Sequence, residues 1–163
     1  MSRRWVAALV LLAACSSSTP AAKGPSLPTA DIPAAVAAVQ AVAPGAQFTE
    51  INLSPEGVTL FVVSSQGKEK SYLYAAAKLG EPSGEQPAEG DPFPITGVPL
   101  DQATKVVAFA TKQFAGATVT SVALVVVKPS GLVWAVRSQS TRGGLLNSLF
   151  SPDGKIISSL PAN

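Results

Sequence analysis

The sequence predicts an α+β domain of two αβββ repeats, with two helices packed on one face of an antiparallel sheet. Three observations carry that prediction. Two stretches, Pro33 to Ala43 and Leu100 to Ala115, place apolar residues at helical spacing. Each is followed by runs rich in Val, Leu, Thr and Phe, which suit a pleated surface. The turns between those runs share one design, Pro second and Gly fourth, in SPEG (54–57), KPSG (128–131) and SPDG (151–154).

In chain order, the first element is an export signal. Arg3 and Arg4 precede ten uncharged, mostly apolar residues, Trp5 to Ala14. A ten-residue helix rises only about 15 Å, too short to span a bilayer permanently. Next comes Leu12-Ala13-Ala14-Cys15, which contains the only cysteine and resembles a bacterial lipobox. That resemblance implies cleavage after residue 14 and acylation of the Cys15 thiol, so that Cys15 becomes a membrane-anchored N-terminus. The chain then faces outside the cytoplasm. In a host with two membranes, Ser16 and Ser17 leave the outer membrane open as the destination, because no aspartate follows the cysteine. Residues 15–30 read as the lipidated end and a flexible tether, rich in Ser, Pro, Ala and Gly.

Residues 31–163 have the length of one ordinary domain. Its first repeat is 31–80. A helix with Val36, Val39 and Val42 on one stripe ends at Pro44-Gly45, and strands follow over 47–53, 58–64 and 70–76. The second repeat, 100–159, begins at Asp101, a candidate cap, and carries Ala103, Val106, Val107, Ala110 and Phe114 to a stop at Gly116. Strands are expected over 118–127, 132–138 and 144–150, with a fourth over 154–160. At an offset of 71, Gly45, Ala46, Thr49 and Leu53 fall on Gly116, Ala117, Thr120 and Leu124; after three extra residues, Pro55 and Gly57 fall on Pro129 and Gly131. Between the repeats, residues 81–99 are dense in proline and glycine and hold Glu81, Glu85, Glu89 and Asp91. Such a stretch reads as an irregular, solvated linker, with a weak Ca²⁺ site as the alternative.

The helix followed by a three-stranded sheet with a Gly-marked turn resembles PepSY-like domains. "PGAQFTEINLSPEGVTLFVV" with "GKEKSYLYAAAKLGE" is the better match, and "AGATVTSVALVVVKPSGLVWAV" with "LLNSLFSPDGKII" the poorer. At tandem scale the pattern is similar to the β-lactamase inhibitor proteins. The resemblance implies a noncatalytic binding or inhibitory role.

Charge excludes other classes. Loss of residues 1–14 leaves 10 basic against 10 acidic residues, where the whole chain has 12 against 10. A neutral mature chain gives no footing for nucleic acid. There is no histidine, and with Cys15 acylated no disulfide forms. No cofactor or metal motif is present. Ser65-Gln66-Gly67-Lys68 has the serine-to-lysine spacing of penicillin-interacting enzymes but falls in an expected hairpin turn, and Gly143-Gly144 leads into no helix.

The expectation is therefore a non-enzyme, a membrane-tethered module for an envelope protein partner; the alternative is a carrier of a lipid or other apolar ligand. A binder needs a packed core and an exposed aromatic patch, whereas a carrier needs a large apolar cavity. Alternation puts Val58, Leu60 and Val62, with Leu132, Trp134 and Val136, toward the helices, and Thr59, Phe61, Val63 and Arg137 on the open side. Lys70, Tyr72 and Tyr74 share one side of the next strand, placed on the open side because tyrosine tolerates one wet end. Phe61, Tyr72, Tyr74 and Arg137 are thus the candidate contact residues. In the competing arrangement the tyrosines point inward and Leu73 outward, or the linker covers this face.

Overall fold

A computed structural model describes residues 26–64, 66–113, 116–141 and 143–162, with side chains described to residue 160. The signal segment, Cys15 and most of the tether lie outside the described residues. The domain begins earlier than residue 31: Leu27 is buried in the core, and a 3₁₀ turn at Thr29–Asp31 leads into the first helix. Thr104 Oγ1 donates to Thr29 Oγ1 at 2.9 Å, which ties this entry to the second helix.

Helix α1 (Ile32–Val42) buries Ile32, Ala35, Val36 and Val39, the i, i+3, i+4, i+7 stripe of a one-sided helix. Pro33 is tolerated because first-turn N–H groups have no helical partner. Helix α2 (Gln102–Gln113) buries Ala103, Val106 and Ala110. It begins two residues after the expected start, because Gln102 N and Ala103 N bond back to Pro99 and Leu100 in a turn. Residues 114 and 115 lie outside the described set.

Among the described residues the sheet is antiparallel, with nine strands: β1 (Gln47–Ser54), β2 (Gly57–Val63), β3 (Lys68–Ala75), β4 (Lys78–Leu79), β5 (Gln86–Pro87), β6 (Ala117–Val127), β7 (Gly131–Ser140), β8 (Leu145–Phe150) and β9 (Ile156–Ala162). Their order is β4-β3-β2-β1-β6-β7-β8-β9, with β5 paired to β3. SPEG, KPSG and SPDG close the β1–β2, β6–β7 and β8–β9 hairpins. Gly57 is required where it stands: a Cβ there would lie 2.5 Å from the Tyr74 carbonyl oxygen.

The two halves meet at β1 and β6, where Ile51 opposes Leu124 and Leu53 opposes Val122. Those four residues, Leu60, Trp134 and Phe150 form one cluster with the buried stripes of both helices. Both helices therefore cover the same face. Trp134 is fully buried, with its Nε1–H donating to the Pro152 carbonyl at 3.3 Å. Among the described residues, no helix is long and apolar enough to cross a membrane.

The segment 81–99 is not an open linker. Ser83 N donates to Ser71 O at 2.9 Å, Ser71 N donates to Ser83 Oγ at 2.9 Å, and β5 pairs with Lys68 and Glu69. Phe93 exchanges backbone hydrogen bonds with Phe48 and is buried, as is Ile95. The acidic residues are partly paired: Glu85 lies 3.7 and 3.3 Å from Lys68 and Lys70, and Asp91 lies 2.8 Å from Lys128. Proline density that rules out a long ladder still permits two-residue edge pairing, which needs few donors.

Candidate functional site

The face of the sheet without helices is set by the register. Glu50 opposes Phe61 and Val125, Asn52 opposes Thr59 and Ala123, and Ala135 opposes Ala123 and Leu149. None of these residues belongs to the helix-side cluster. Directly opposed residues of antiparallel strands share a face, so one assignment fixes the rest.

That rule places two candidate residues as expected and two on the other side. Phe61 is half-buried on the open face, and Arg137 is exposed there, opposite Ser121 and Asn147. Tyr72 opposes Leu60 and Tyr74 opposes Val58, so both tyrosines point toward the helices. Tyr74 is only 9 % exposed and sits in the core; Tyr72 packs against it half-buried. Leu73 is the exposed residue of that strand. The reason is the phase of β3: Val58 and Leu60 face inward, and the register to β3 carries their side across to the tyrosines. Phe61 and Arg137 are three strands and four residues apart, about 20 Å by ordinary sheet spacings. They share a face without touching.

Sequence reasoning missed an acidic cavity of about 260 Å³ beside Phe61, lined by Thr49, Glu50, Glu69 and Val125 of the sheet and by Gln86, Glu89 and Gly90 of the segment 81–99, which thus covers this part of the open face. Thr49, in its lining, is the extra residue of a β-bulge: the register steps from Phe48 to Glu50 across from Val62 and Phe61. Glu69 is 3 % exposed and accepts hydrogen bonds from Thr49 Oγ1 at 2.8 Å and Gln86 Nε2 at 3.0 Å. Burial raises the Glu50 carboxyl above the usual range; a hydrogen bond from Asn52 opposes this, and the Glu69 charge adds to it. Among the described residues, no three metal-ligating side chains are placed to hold an ion.

A second cavity of about 330 Å³ lies between the end of α1 and strands β2 and β3. Ala46, Val62 and Tyr72 line it together with the Lys70 and Glu85 ion pair. Between helices and sheet, by contrast, Trp134, Phe48, Phe150, Ile32 and Ile51 are fully buried in the core. Comparison of the chain with protein-family models, with curated proteins and with solved structures gives no match.

Proposed function

We propose that this chain is an extracytoplasmic lipoprotein, anchored through acyl chains on Cys15, whose domain is a noncatalytic protein-binding or inhibitory module working through the open sheet face. The observation that carries the reading is that both helices lie on one side, leaving Phe61, Ala123, Val125, Ala135 and Leu149 half-buried on the other. An interface of ordinary size covers about 800 Å² per partner, enough to include both Phe61 and Arg137. The contact residues are therefore Phe61 and Arg137, without the two tyrosines. The alternative, an apolar-ligand carrier, is less well supported by the two cavities described above, whose linings carry Lys70 and Glu85 in one and Glu50, Glu69 and Glu89 in the other.

The domain is built of two αβββ copies related by an approximate two-fold. At an offset of 71, exchanging the halves turns the Ile51–Leu124 pair into Leu53–Val122. The bulge residues obey the same offset: Thr49 interrupts β1 and Thr120 interrupts β6. This supports the likeness to tandem PepSY-like and β-lactamase-inhibitor-like domains, which implies binding.

The test is a photo-crosslinking residue placed in the full chain in its own cells, at Ala135 on the open face and at Ala37 on the exposed side of α1. The reading expects one envelope protein captured from Ala135 and not from Ala37, lost in Phe61→Ala/Arg137→Ala with an unchanged melting temperature. Capture from the helix side alone, or none, overturns it. Fatty-acid labelling of wild type but not of Cys15→Ala is the matching test of the anchor.

A further inference from the structure

The two edges of the sheet are unlike. At one, β3 is covered by β4 and β5, and Lys68 and Lys70 pair with Glu85 beside it. At the other, no strand among the described residues pairs with the outer side of β9. Alternate backbone groups of an edge strand point away from its neighbour and need a partner strand or water.

Strand β9 lacks most of the devices that blunt an edge. Residues 156–162 (IISSLPA) carry no charge, and neither does β8, 145–150 (LLNSLF). Seven large apolar residues are exposed among the described ones, and four of them, Leu145, Ile156, Ile157 and Leu160, lie on this hairpin; Leu160 is 65 % exposed. Among the described residues, exposed apolar surface is therefore concentrated at this edge. Pro161 lacks a donor, but it stands near the end of the strand and leaves Ile156 to Leu160 able to pair.

We infer that β9 is an interface between two copies of this chain, joined edge to edge in one continuous antiparallel sheet. Three arguments favour a second copy over another occupant. Antiparallel pairing about a two-fold matches the strand with itself, and an uncharged strand meets itself without like-charge repulsion. An axis normal to the sheet at Ser158 or Ser159 keeps like faces together and puts hydroxyl side chains at the centre, flanked by Ile157 and Leu160. The chain's own residues 16–25 (SSSTPAAKGP), with two prolines and a lysine, are poor strand formers. An edge of five residues is a small interface, which suits chains brought together on a surface.

The experiment uses the full chain. Cys15 is its only thiol, so Ser158→Cys and Ser159→Cys each introduce one reporter at the proposed axis, where opposed Cα atoms fall within disulfide range. Under mild oxidation in cells, at least one of these variants should give a disulfide-linked homodimer well above the wild-type control. In detergent, sedimentation should detect a concentration-dependent dimer that Ile157→Lys/Leu160→Lys weakens at least about tenfold, with the melting temperature of the dilute, monomeric protein unchanged. The proposal is overturned if neither cysteine links above control, if the linked species is a different protein, or if the double lysine variant dimerises as tightly as wild type.

Discussion

Glu50 is the residue whose surroundings make the sharpest statement about pH. Burial raises its pKa in the folded chain, and Glu69 and Glu89 around the same cavity add no positive charge. A raised carboxyl binds its proton more tightly folded than unfolded, so its contribution is fully present below the unfolded value and is lost as pH rises through the folded one. At neutral pH the charged form is thus a local cost. Glu50→Gln should raise the melting temperature at about pH 7 and flatten its change as the pH falls from there toward the ordinary carboxyl range, read by calorimetry of both proteins. The β3 phase gives a second residue-scale test. Tyr74→Ala should cost about 3 kcal/mol or more in denaturant unfolding, as loss of a buried aromatic does, while Leu73→Ala should cost under about 1 kcal/mol. Reversal of that order would return the tyrosines to the open face. Gly57→Ala should cost more than about 2 kcal/mol, because its methyl group has a backbone oxygen in its way.

At the scale of elements, the segment 81–95 behaves as a strap. Its start is bonded to β3 by Ser83 and β5, its middle passes Thr49 closely at Gly90, and its end is pinned by Phe93 against Phe48. A solvated loop of this length could be shortened at little cost, since closure entropy varies slowly with length. This one cannot, because the deletion also removes the Gln86 bond to the buried Glu69 side chain, and Glu85, the ion-pair partner of both Lys68 and Lys70. Removing residues 83–90 should therefore cost more than about 2 kcal/mol in urea unfolding. The exposed Lys128–Asp91 pair contributes little to that sum, so Asp91→Asn should be nearly silent.

At the scale of the molecule, one hydrophobic cluster runs through both halves, and β1 and β6 are each other's neighbours at the centre of the sheet. Either half alone would expose an apolar central strand edge and half of a shared core. Fragments 26–80 and 96–163 should each lack a cooperative thermal transition, and an equimolar mixture should regain one, followed by circular dichroism. Independent melting of either fragment would make the halves separate domains.

Local chemistry was enough to predict the two helices, seven of the strands and the three Pro-Gly hairpin turns, because helical period, β-branched runs and turn residues act over a few neighbours. Period 2 also placed Phe61 and Arg137 on the open face, since their strands alternate cleanly. It could not phase β3, where lysine, tyrosine and leucine all suit a half-buried surface; the pairing of Val58 with Tyr74 decided that. Nor could it show the Thr49 bulge, which depends on two strands being out of step, or the packing of residues 81–99, whose partners Ser71, Glu69 and Phe48 lie 12 to 45 residues away. Which side a strand turns and what a loop touches are set by register and long-range pairing, and a window of ten residues contains neither.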